Sequence, residues 1–123
     1  MPVTFSGNEI LQLIHELVSI PSPSGFTDRI MDHIAGKLDS LGIAYQRSRK
    51  RGVIATLPGK DSSQQRMLSA HVDTLGAMVK EIKSSGRLRL ALIGGSQWAH
   101  VEGEYCQVFT ASGTTYTGTI LMH

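Results

Sequence analysis

His71 and Asp73, two residues apart in Ser69-Ala70-His71-Val72-Asp73-Thr74, are the side chains of this chain best suited to chemistry. On a β-strand the side chains alternate between faces, so an imidazole and a carboxylate at this spacing point the same way. One ring nitrogen of His71 is then available to a metal while the other donates to Asp73. A carboxylate in that position fixes the tautomer of a ligating histidine and raises its basicity. The competing reading is a buried histidine that its neighbouring carboxylate satisfies, with no ligand involved. The remaining histidines offer less. His15 and His33 fall on helical stretches without a second ligand at i+4 and read as surface or boundary residues. His100 and His123 have no partner in the sequence and read as ordinary residues.

The elements that position the pair follow from the patterning around it. The apolar run Met67-Leu68-Ser69-Ala70 predicts a buried strand over residues 67–72, and Thr74-Leu75-Gly76 predicts a bend after it. The carboxyl ends of sheet strands are where open α/β folds build their sites. Upstream, Ser6-Gly7-Asn8-Glu9 has the form of a capping box. Ile10, Leu13, Ile14, Leu17 and Val18 then make one apolar helical stripe, which should stop near Ser19 because Pro21 disfavours helix in the residue before it. Pro21-Ser22-Pro23-Ser24-Gly25 predicts a rigid turn. A second helix from about Thr27 should carry Ile30, Ile34, Leu38 and Leu41 inward, with Gly42 as its left-handed terminator.

Beyond Gly42 the period changes from helical to alternating. Strands are predicted over residues 43–46, 53–57, 67–72, 77–82 and 88–93, with Ser84-Ser85-Gly86 closing a hairpin between the last two. Pro58-Gly59-Lys60-Asp61-Ser62-Ser63 predicts a polar loop. Gly94-Gly95-Ser96 marks a break. Residues 105–110 and 116–121 are two further β-rich runs around Ala111-Ser112-Gly113. The expected fold class is therefore α/β: part of a mixed sheet with helices packed on it over residues 1–95, then the start of a small all-β, PDZ-like or barrel-like insert over residues 96–123. A lone two-stranded hairpin is marginal in water. The half-built second unit predicts that the chain is the front portion of a longer polypeptide.

Composition bounds the function classes. With 123 residues, 41% of them hydrophobic and 18% charged, the chain is globular rather than disordered. A net charge of +2 is too mild to imply nucleic acid. The basic cluster Arg47-Ser48-Arg49-Lys50-Arg51 carries no aromatic residue and reads as a solvated hairpin tip. No apolar run approaches the ~18 residues a membrane span needs. Met1-Pro2-Val3-Thr4-Phe5 lacks the basic-then-apolar order of a signal peptide. The single cysteine, Cys106, fits a reducing cytoplasm and reads as a small core residue, because no basic partner is visible to activate it. Trp98 reads as packing at a domain junction.

Three stretches together carry a family resemblance. Ser69-Ala70-His71-Val72-Asp73-Thr74-Leu75-Gly76-Ala77-Met78-Val79 resembles the first metal-site motif of M42-family metallopeptidases, which are cytosolic aminopeptidases. Ile20-Pro21-Ser22-Pro23-Ser24-Gly25 is similar to that family's loop between its first two helices. Gly94-Gly95-Ser96-Gln97-Trp98 is similar to the crossing into its inserted β-domain, which helps assemble dimers and larger hollow particles. The wording of residues 71–79, with Gly86-Arg87-Leu88-Arg89-Leu90, looks closest to the branch found with genes for a glutaminylglutamine-amide osmoprotectant. Three pieces in the right order are far more specific than any one.

The resemblance implies a dinuclear aminopeptidase acting on short peptides, with two divalent ions, usually zinc or cobalt, and a homo-oligomeric assembly. His71 resembles the histidine that binds one ion. Asp73, the candidate catalytic residue, resembles the aspartate that holds this imidazole. The family's bridging aspartate, glutamate general base and other ligands have no counterpart in these 123 residues, so the chain by itself is expected to be silent. The alternative is a non-catalytic binding or assembly module that keeps the peptidase scaffold.

Overall fold

The computed structural model describes residues 6–61 and 63–122. The predicted order of the first five residues, Ser62 and His123 lies outside the described residues. The chain divides into two compact units, residues 1–74 and residues 75–123.

The first unit begins with helix α1, Gly7–Val18. The capping box forms as expected. Ser6 Oγ accepts from the Glu9 amide at 3.4 Å, and a Glu9 carboxylate oxygen accepts from the Ser6 amide at 3.1 Å. Two of the amide donors that every helix start leaves unpaired are thereby satisfied. The helix ends at Ser19, as Pro21 requires.

Helix α2 spans Asp28–Ser40 with Thr27 as its N-cap. Gly42 follows at φ +67, the left-handed conformation that lets the chain leave the helix without a Cβ penalty. Its buried side chains are Ile30, Met31 and Ala35. Ile30 was expected inward and is 1% exposed. Ile34 and Leu38 are half-buried, while Leu41 faces solvent. The inward face is thus rotated toward Met31 and Ala35. A stripe drawn at i, i+4, i+8 drifts around a helix of 3.6 residues per turn, and Leu41 already lies past its end.

The hairpin of β1 (Tyr45–Arg47) and β2 (Val53–Ala55) is antiparallel, with Arg47 opposite Val53. Its tip is the basic cluster. Two of those cations are tied to α2: Arg47 lies 2.7 Å from Asp32 and Arg51 lies 2.5 Å from Asp28. Asp28 and Asp32 stand one helical turn apart, so they meet two cations from a single hairpin. The two helices are joined by Glu16, which lies 2.9 Å from Lys37 Nζ and 3.1 Å from His33 Nε2.

The second unit consists of hairpins. β3 (Gly76–Ile82) pairs antiparallel with β4 (Leu88–Ile93), with a register shift between Val79 and Glu81. A 3₁₀ turn, Trp98–His100, follows with Trp98 half-buried. β5 (Tyr105–Phe109) then pairs antiparallel with β6 (Thr115–Thr119). Cys106 is half-buried on β5 beside Gly118, where an added Cβ would lie 3.5 Å from its Sγ, so the thiol packs as a small residue.

Two expectations are corrected. The continuous mixed sheet is absent: the described strands form three separate two-stranded antiparallel sheets, with one isolated parallel bridge between Pro23 and Thr74. Residues 67–72 form no strand, and Met67 and Leu68 are 91% and 99% exposed. Apolar composition suits a run of residues to a sheet but supplies no ladder. No described segment hydrogen-bonds alongside residues 67–70, so the run stays unpaired.

Candidate functional site: a clamped histidine–aspartate pair

The site grows out of the turn between α1 and α2. Pro21 and Pro23 each fix their own φ near −65°, which holds the turn extended and leaves Ser22 and Ser24 two residues apart. Ser22 is fully buried, at 0% exposure. Its hydroxyl donates to the Val72 carbonyl at 2.9 Å, and its own carbonyl accepts from the Thr74 amide at 2.9 Å. With the parallel bridge from Pro23 to Thr74, these bonds seat the turn in register beside residues 72–74. A buried hydroxyl is tolerated only when it is hydrogen-bonded, so burial and clamping at Ser22 are one fact. Gly25, at φ +89, then turns the chain into α2.

On this platform His71 and Asp73 meet as predicted, although no strand carries them. Asp73 Oδ1 lies 2.8 Å from His71 Nδ1. The other carboxylate oxygen, Oδ2, accepts a short hydrogen bond from the Ser24 hydroxyl. The Ser24 bond first, and the His71 bond second, hold the Asp73 carboxyl below the ordinary carboxylate range. An ionised Asp73 can only accept, so Nδ1 is the donor of this pair, and in a neutral ring with that proton the lone pair falls on Nε2. The His71 side chain is 85% exposed. The histidine is therefore not buried, and its ring is accessible to solvent.

The donor chemistry suits one corner of a metal site and no more. An oriented, accessible, neutral imidazole nitrogen is what a divalent ion takes from a histidine. A hydrolytic site needs about three protein ligands and an open position. Among the described residues no three of His, Cys, Asp and Glu come together in a way that could hold an ion. Within the first unit, His15 is exposed and His33 is engaged with Glu16.

Ser22 and Ser24 are the residues that the sequence reading left inside a turn without a role at the site. The available signal was their spacing: in an extended segment fixed by two prolines, serines at i and i+2 share a face. What that face would meet, about fifty residues later, is not written in the turn itself.

Comparison with known proteins shows what this chain is similar to. The profile of the family described as M42 glutamyl aminopeptidase matches residues 52–123, more than half of the chain and including both His71 and Asp73. The YhfE protein of Bacillus subtilis is 58% identical over 118 residues, which is 96% of this chain and 34% of that protein. The glutamyl aminopeptidase of Lactococcus lactis is 29% identical and the lysyl aminopeptidase of Pyrococcus furiosus 28%, each over 106 residues, covering 85% of this chain and 30% of theirs. The chain thus spans about a third of the length of these relatives. With the family profile running from the hairpin turn at Gly52 through the clamped pair and both β-hairpins beyond it, this chain belongs to the M42 glutamyl aminopeptidase family.

Proposed function

We propose that this chain supplies the His71 corner of a dinuclear metal centre in an aminopeptidase that releases N-terminal residues from short peptides. The observation that carries the reading is the exposed imidazole held at Nδ1 by Asp73, inside the stretch matched by the family profile. Two relatives named as glutamyl and lysyl aminopeptidases support the reaction class.

In this reading His71 would hold one ion through Nε2. Asp73 fixes the ring and keeps the proton on Nδ1. A zinc or cobalt ion, bound with further ligands, would supply Lewis acidity for attack on the peptide carbonyl. One imidazole does not hold such an ion tightly, so the 123-residue chain alone is catalytically silent. Residues 1–95 contribute to the catalytic α/β domain, and residues 96–123 begin an inserted β-domain through which the enzyme assembles as a cytoplasmic homo-oligomer.

The test is metal content and peptide hydrolysis in the full-length protein carrying this chain. Peptides beginning with glutamate, lysine and glutamine cover the two named specificities and the osmoprotectant branch. With zinc, cobalt or manganese supplied, turnover is expected, and His71→Ala should lower bound metal and abolish it. A metal-replete full-length protein that releases no N-terminal residue from any of these peptides would refute the proposal.

A further inference from the structure

We infer that Ser24 is a positioning residue for His71 and acts through Asp73, its hydroxyl fixing the carboxylate so that the imidazole presents Nε2 in one direction. This rests on the reading of His71 as a metal ligand. Ser24 lies outside residues 52–123, the stretch that the family profile matches.

Little restrains the His71 ring. With 85% of its side chain in solvent, His71 has almost no packing to hold it. Among the described residues, its side-chain hydrogen bond is the contact of Nδ1 with Asp73 Oδ1. The direction of Nε2 is therefore set by Asp73. A carboxylate terminates in a broad, roughly two-fold torsion, so one hydrogen bond leaves it free to rock. Here both oxygens are engaged, Oδ1 by the imidazole and Oδ2 by Ser24 Oγ, and the rotation is locked.

Ser24 is itself exposed, so its hydroxyl is not needed to fill a core. Its backbone is nevertheless held rigidly. Ser22, two residues before it, is buried and doubly bonded to residues 72 and 74. Pro23 bridges to Thr74 and accepts from the Phe26 amide at 2.7 Å. The turn is thus an anchored arm that delivers one hydroxyl to one carboxylate oxygen. A partner that orients a ligating histidine from behind typically contributes about 10–100-fold in metal affinity.

The experiment is zinc affinity of the full-length protein by competition with a chelator, read for the parent, Ser24→Ala, Ser24→Thr, Asp73→Ala, the Ser24→Ala/Asp73→Ala double variant, and His71→Ala. Ser24→Ala is expected to weaken zinc binding about 10-fold. Ser24→Thr, which keeps the hydroxyl, should restore affinity near that of the parent. In the Asp73→Ala background the loss of the hydroxyl should cost nothing further, since it has no carboxylate left to hold. Three outcomes overturn the inference: parental affinity in Ser24→Ala, a Thr variant as weak as the Ala variant, or an equal loss in both backgrounds. The last would mark a general structural role of the turn. Failure of the metal-ligand reading is told apart by His71→Ala, whose undiminished zinc affinity would remove the basis for any role of Ser24.

Discussion

At Asp73 the chemistry turns on having two acceptors and one negative charge. Asn keeps a carbonyl oxygen that can take the Nδ1 proton, so the ring can hold its orientation. Its amide nitrogen, however, faces the position that Ser24 now donates to, and that hydroxyl must turn and accept instead. Both contacts also lose charge assistance, which roughly halves the strength of such bonds. In the full-length protein Asp73→Asn should therefore retain metal at about 10–100-fold lower affinity and lose most peptide turnover. Metal analysis beside the hydrolysis assay checks this, and parental values in both would contradict the role given to Asp73. The pairing of His71 with Asp73 was legible because residues at i and i+2 share a face over a purely local distance. Ser24 was not, because a hydroxyl donates to whatever acceptor the fold brings near, here 49 residues away in sequence.

At the scale of elements, local signals were legible wherever the sequence supplies both ends of a bond. The capping box of α1 is complete within Ser6-Gly7-Asn8-Glu9, and the helix starts at Gly7. Ser6→Ala, made in the full-length protein, should cost about 1 kcal/mol, measured as a lower urea midpoint of unfolding, and no change would mean that the cap is not populated. The hairpins were legible because each closes on its own turn. Residues 67–72 were misread because a strand needs a partner that composition does not specify. The tie between the helices was not legible either, although it has a pH signature. Lys37, foremost through its hydrogen bond, lowers the pKa of Glu16 from the ordinary 4.5, with the charges on Lys37 and His33 acting in the same direction. A carboxylate with a depressed folded pKa stabilises the fold above its unfolded pKa, and that contribution is lost as pH falls through the folded value. In the full-length protein the thermal midpoint of the parent should exceed that of Glu16→Gln at neutral pH and converge with it as the pH drops below about 4.5. A gap that widened toward acid would contradict the assignment.

For the whole chain the decisive quantity is how little is buried. Among the described residues, Ile30, Met31 and Ala35 are the apolar side chains out of solvent. Leu11, Val18, Met67 and Leu68 in the first unit, and Ile82 and Tyr105 in the second, are exposed. Each sheet has two strands, and isolated two-stranded sheets are marginal in water. Burial of apolar area is the main favourable term in folding, at roughly 25 cal/mol per Å², and it must offset a backbone ordering cost of about 1–2 kcal/mol per residue. Three small clusters of hydrogen-bonded hairpin and one partly covered helix do not approach that balance cooperatively. The 123-residue chain on its own should show helical far-UV dichroism, a broad thermal transition and strong binding of a hydrophobic dye such as ANS, as exposed apolar surface does in loosely packed states. On the proposed function, a full-length protein carrying this chain should melt sharply and bind little dye, because the same side chains would then be covered. A sharp transition, no dye binding and a monodisperse oligomer from the 123-residue chain would instead favour the non-catalytic assembly module. In that case Met67 and Leu68 would be covered by copies of the chain itself, and His71 would have no further ligands to join.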